Sequence, residues 1–263
     1  MRLYVELARR EAQRHLAYRM ATVAGLFTNA VFGIIFSTVF LALYEDRRQN
    51  EAVAGFTLTD TLTYVWLAQA MLMVIAVWGT WDIAQGVRSG DIVADLSKPF
   101  NFFFYWLSRD LGRAACQALV RFVPTLAIGA LLYDLGLSTD PVRWGLFTLS
   151  LTLATLVSFA IRFSLNLVAF WTTDIQGVRY LQLSVINLLS GLLIPLAFFP
   201  GPLRAVAEVL PFRAMVMTPV DIALGRGAAV PALALQAGWA MVMGGVAMAT
   251  LGLATRKLVV QGG

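Results

Sequence analysis

Apolar and polar residues are distributed along this chain in long blocks. Six blocks stay apolar for at least the roughly 20 residues that a helix needs to cross a hydrocarbon core about 30 Å thick. They are Met20–Tyr44, Thr61–Trp81, Ala114–Leu135, Trp144–Trp171, Tyr180–Phe199 and Val230–Ala254. The pattern predicts an all-α integral membrane protein with six transmembrane helices. The fourth block exceeds the length of one crossing, so its end tilts or projects into the cytoplasm.

Three other segments depart from the block pattern. Arg2–Arg19 sets Val5, Ala8, Ala12 and Leu16 on one helical face, with Glu6 four residues before Arg10 and Glu11 close to Arg14 and His15. Residues 1–19 therefore read as an interfacial helix with its arginines near anionic headgroups, either a topology anchor or also a contact for a cytoplasmic partner. Between the second and third blocks runs "GVRSGDIVADLSKPFN", Gly86 to Asn101. Here Ser89 is placed to cap a short helix with Ile92, Val93 and Leu96 on its apolar face. Asp91 lies near the positive N-terminal end and Pro99 stops the helix. Before the last block, Ile194–Gly227 holds five of the nine prolines yet remains apolar. Broken apolar backbone must be buried in protein or lie at the interface. This predicts two half-helices, near Pro202–Leu210 and Ala214–Leu224, in a hairpin over 200–227 that dips into the outer leaflet.

Composition supports the membrane reading. Hydrophobic residues make up 59% of the chain, charged residues 13%, and the mean hydropathy is +0.74. A soluble surface calls for roughly 25–35% charged residues. The N-terminus is too charged for the apolar core of a cleavable signal peptide. The net charge of +5 does not imply nucleic acid, because basic residues flank spans for topological reasons. With the N-terminus inside, twelve Lys and Arg residues fall in cytoplasmic segments and six in external ones, among them Arg47 and Arg48. That asymmetry puts both termini and the Gly86–Asn101 loop in the cytoplasm.

The residue inventory excludes most chemistries. Cys116 and His15 are the only cysteine and histidine, which leaves no ligand set for a metal and no His-based catalytic group in a span. A phosphate-binding loop needs Gly-Lys-Ser/Thr, but the only lysines, Lys98 and Lys257, precede Pro99 and Leu258. Asp60, Asp82, Asp110, Asp134 and Asp174 read as lying in loops or at span ends, which disfavours proton-coupled transport. Arg121 and Arg162 fall inside spans, where they snorkel or pair, or else meet an anionic substrate. Asn166 and Asn187 read as interhelical glue or as substrate contacts.

The segment Gly-x-Arg-x-Gly-Asp…Leu-x-Lys-Pro (Gly86, Arg88, Gly90, Asp91, Leu96, Lys98, Pro99) resembles the permease subunits of the ABC type-2 exporter family. "FFPGPLRAVAEVLPF" is similar to the hairpin before the final span in one branch of that family. The resemblance implies a single permease domain, 1–263, in a bacterial plasma membrane. It implies that the 83–113 loop carries a coupling helix docking on a separate cytoplasmic ATPase, with Arg88, Ser89, Gly90, Asp91, Ile92, Val93, Asp95, Leu96, Lys98 and Pro99 at the contact. It implies a second permease copy or paralogue, with ATP and Mg on the ATPase and no cofactor on this chain. It makes the hairpin, with Pro200, Pro202, Leu203, Val206, Leu210, Pro211 and Phe212, an external gate. Without the resemblance, a membrane scaffold or an ATP-independent carrier remains open.

Overall fold

The computed structural model describes residues 2–45, 51–172 and 174–257. Arg47 and Arg48, counted above as external charges, lie outside the described residues. Among the described residues the regular structure is helical throughout, apart from one bridge between Val53 and Phe56.

Helix α1 (Arg2–Ala17) is followed at once by α2 (Arg19–Tyr44), whose 26 residues span about 39 Å at 1.5 Å per residue. Thr57 and Asp60 form a reciprocal cap for α3 (Leu58–Met71), each side chain accepting from the other's backbone N–H at 3.1 Å. Two short helices follow, α4 (Asp82–Ser89) and α5 (Ile92–Leu96). Helix α6 (Phe102–Gln117), capped by the Asn101 side chain, passes through a π-helical turn at Ala118–Phe122 into α7 (Val123–Leu132). Asp140 and Pro141 start α8 (Pro141–Leu167). Then come α9 (Gln176–Leu189), α10 (Gly201–Val209), α11 (Met217–Leu224) and α12 (Ala229–Thr255).

Among the described residues, four segments are long and apolar enough to cross a membrane: Arg19–Tyr44, Phe102–Leu132, Pro141–Phe170 and Ala229–Thr255. They match the first, third, fourth and sixth predicted spans. The third begins twelve residues earlier than hydropathy placed it, because a charged first half hides a continuous helix. The second and fifth predicted spans are not single helices. Helix α3 covers only about 21 Å; the chain then unwinds, with Ala76 at φ 47° and Gly79 at φ 70°. Helix α9 is equally short and breaks at Gly191, φ 74°, before Pro195. Hydropathy reports which residues avoid water, and unwound apolar backbone avoids it as well as a helix does.

The first of the two broken segments forms the centre of the bundle, whereas α9 lies at its side and buries only Gln182 and Ile186. Every residue from Thr61 to Met71 is buried, and Leu72, Val74, Ile75 and Val77 continue the core beyond the end of α3. Gly129 lets α7 approach so closely that a methyl group there would collide with the Trp66 ring. One end of the bundle gathers α1, α4, α5, the start of α6 and the ends of α8 and α12. The opposite end holds residues 53–57, the Tyr133–Asp140 connection, α10 and α11.

Candidate functional site

At the first end, α4 and α5 make an elbow. Gly90 ends α4 in the left-handed conformation, φ 84°. Ser89 does not cap α5 as the sequence predicted: its hydroxyl donates to the Asp91 carboxylate at 2.7 Å, and Asp91 itself occupies the cap position without a side-chain cap bond. The predicted apolar face also divides. Ile92 is 3% exposed and packs with Ile83, Phe102 and Phe163, with Leu96 half-buried against the same cluster, whereas Val93 is 42% exposed. Arg88, Gly90, Asp91, Lys98 and Pro99 are exposed, and Lys98 donates to Asp95 at 2.6 Å. The elbow thus presents a mixed-charge rim to solvent and is rooted in the bundle by Ile92.

Directly before the elbow, the unwound backbone is held by side chains from neighbouring helices. Arg113 donates to the carbonyls of Met73 and Val74 at 2.5 and 2.9 Å, and its Nε donates to Asp110 at 3.0 Å. Arg162 donates to the other Asp110 oxygen at 2.8 Å and to the Ser158 hydroxyl at 3.1 Å. Ser158 in turn donates to the Ile75 carbonyl at 2.5 Å. Asn166 donates to the Thr80 carbonyl at 3.0 Å and accepts from the Ala84 N–H at 3.1 Å. Carbonyls freed by unwinding inside a bilayer cost several kcal/mol each when left without donors. The network supplies those donors, and the Asp110 carboxylate bridges the two guanidiniums and offsets one of their two charges.

Arg162 is therefore paired, as one of the two sequence readings held. Asp110 corrects another expectation: the carboxylate lies buried within the long segment Phe102–Leu132, between two arginines. Arg121 is not part of this network. It sits in the π-helical turn, packs against Gly25 of α2 and donates to the Ala21 carbonyl at 2.8 Å, with its Nε buried and unpartnered. Asn187 lies apart from both, its carbonyl oxygen buried without a partner.

At the opposite end, α10 and α11 realise the two predicted half-helices. Pro200 precedes α10, on which Leu203, Val206 and Val209 are 37%, 55% and 70% exposed. Helix α11 is buried in protein through Met217, Val220 and Ile222. Gln236 of α12 ties the hairpin to α8, donating to the Ala214 carbonyl at 2.7 Å and to the Ser150 carbonyl at 2.9 Å. Pro211 and Phe212 cover an apolar cavity of about 280 Å³ bounded by α8, α9 and α12. Leu210 is half-buried and Pro202 exposed.

Against this geometry, the family model described as ABC-2 family transporter protein matches residues 32–262. The chain belongs to the ABC-2 transporter family. No curated protein and no solved structure matches it. The ABC-2 match takes in the elbow, the bracing network and the hairpin, and begins after α1. Membership makes the chain a multi-pass membrane transport protein in an ABC-transporter context, where an ATPase is the partner, and the family is one of non-enzymatic membrane subunits. Sequence reasoning missed Asp110, Arg113 and Ser158 as a bracing set, and Gln236 as the tie between the hairpin and α8 at the opposite end. The available signal was an Asp and an Arg three residues apart on a helix that runs on into apolar sequence, together with a lone glutamine in the last span.

Proposed function

We propose that this chain is the membrane-spanning subunit of an ATP-driven exporter. In this reading it crosses the bilayer six times, α3 and α9 with their unwound extensions forming the second and fifth crossings. Both termini and the elbow face the cytoplasm of a bacterial cell. A separate ATPase carries ATP and Mg and docks on the elbow, and a second permease copy or paralogue completes the path. The α10–α11 hairpin gates that path on the outside.

One observation carries the proposal. The solvent-facing elbow continues directly into the unwound segment 72–81; Asn166 bonds to both, and Arg113 and Ser158 hold the far part of the segment. A push on Arg88–Pro99 therefore reaches the centre of the bundle through backbone. A rigid helix at that position would tilt as a whole; a broken one can change shape where it is broken. The exposed acid, bases and Val93 suit a groove on a protein partner, with charge steering the encounter and apolar contact supplying affinity.

The test is co-purification with the ATPase. Asp91→Arg and Val93→Asp alter the exposed rim and should abolish capture while leaving membrane insertion and thermal stability unchanged. Leu96 is a poorer target, because it faces the chain's own core. Full capture by both variants would remove the elbow from the docking surface.

A further inference from the structure

At the α1–α2 junction a cavity of about 260 Å³ opens between α1, α4, α6 and α8. Its basic groups are Arg14, His15, Arg109, Arg113 and Arg162, and its acids are Glu11, Asp82 and Asp110. Asp110 is committed to Arg113 and Arg162, and Asp82 is exposed in the first turn of α4. That leaves Glu11 shared among Arg109 at 2.9 Å and Arg14 and His15 at 3.6 Å. Arg109 uses only its Nε in that pair. Its terminal nitrogens make no hydrogen bond to any described residue, and its guanidinium lies 4.7 Å over the Trp106 ring. The Trp106 indole N–H is likewise buried without an acceptor. Donors thus outnumber acceptors on the α1–α6 wall, while Phe159 and Phe163 make the α8 wall apolar.

We propose that this cavity binds the phosphate group of an anionic membrane lipid. A guanidinium pairs with phosphate through parallel, charge-assisted hydrogen bonds, and the free face of Arg109 beside Arg14 offers that fork. Tyr18 lies at the cavity edge one residue before α2 begins, which sets the site at headgroup depth. The phenylalanine wall would lie along the start of an acyl chain, and this favours a lipid over a soluble phosphate compound. Glu11, Arg14, His15 and Tyr18 all precede the family match at residue 32, so the site joins a wall outside the match to walls on α4, α6 and α8 inside it. The proposal rests on the membrane-spanning reading and not on ATPase docking.

The experiment is native mass spectrometry of the full chain released from phosphatidylcholine nanodiscs doped with phosphatidic acid or phosphatidylglycerol. The wild type should retain the anionic lipids in preference to phosphatidylcholine. Arg14→Gln combined with Arg109→Gln should lower that retention at least about tenfold, the expected result of losing charge-assisted contacts. Glu11→Gln, which removes the competing carboxylate, should raise it. Displacement of the lipid by inorganic phosphate would uphold the phosphate chemistry but overturn the lipid as its source. Equal retention of all three lipids by the wild type would overturn the site. So would Glu11→Gln losing lipid in step with the arginine variants, since a purely structural ion pair behaves that way.

Discussion

Replacing Arg113 by Met keeps most of the aliphatic length and removes the guanidinium from the unwound segment. The Met73 and Val74 carbonyls then lose their donor in a buried setting. At about 1–3 kcal/mol for each orphaned group, the loss is about 2–6 kcal/mol. Asp110 keeps Arg162 as its partner after the change, so no uncompensated buried charge adds to that cost. For a chain of this size that is a fall in melting temperature of about 4–24 °C, readable as loss of the monodisperse chromatography peak after heating in mild detergent. Two comparisons make the result specific. Arg162→Met should cost less, because Arg113 still covers both carbonyls and Ser158 still donates to Ile75. Arg10→Met breaks only an exposed pair with Glu6 and should cost under about 1 kcal/mol. If Arg113→Met melts with Arg10→Met, or above Arg162→Met, then covering the freed carbonyls is not what holds the broken span.

Cysteines placed at Leu203 or Val206, in an otherwise functional chain, should react poorly with membrane-impermeant thiol reagents added outside and react faster when nucleotide drives the transporter; full labelling regardless of nucleotide would reduce α10 to a surface element. Gly112→Leu should detach α1, since even a methyl group at Gly112 would run into the Ala8 backbone, and protease cleavage within residues 2–17 should rise sharply against wild type. Docking of α1 should also depend on pH. Burial, aided by the Arg113, Arg14 and Arg109 charges, lowers the His15 pKa against the opposing pull of Glu11. The docked state disfavours the charged imidazole, so α1 is held at full strength above pH 6.5 and loosens as pH falls below it. Proteolysis at about pH 5.5 should exceed that at about pH 7.5, and His15→Gln should flatten the difference.

The helices that cross the bundle intact were legible because a long apolar run bounded by Arg19, Asp140 or Arg256 has one economical conformation in a bilayer. The hairpin was legible through its prolines, which fix where helices stop. The elbow was legible through Gly90 and Pro99, but its inward face was not. Ile92 and Val93 are equally apolar, and only the packing of Phe102 and Phe163 decides that Ile92 turns inward. The unwinding after Met71 left no mark, because "LMVIAVWG" is as good a helix as a core segment by composition. What betrays it lies elsewhere in the chain, in Arg113, Ser158 and Asn166, residues up to 86 positions away that reach its carbonyls. Bracing at that distance cannot be read from a local window.

The central claim is that this permease takes its free energy from a partner through the elbow, and ATP hydrolysis in liposomes tests it most directly. The chain alone should hydrolyse no ATP. The cognate ATPase should bind the membrane and change its rate when wild-type chain is present, and Asp91→Arg or Val93→Asp should abolish that response. Hydrolysis by the chain alone, or a cognate ATPase whose rate and membrane binding ignore it, would contradict the account.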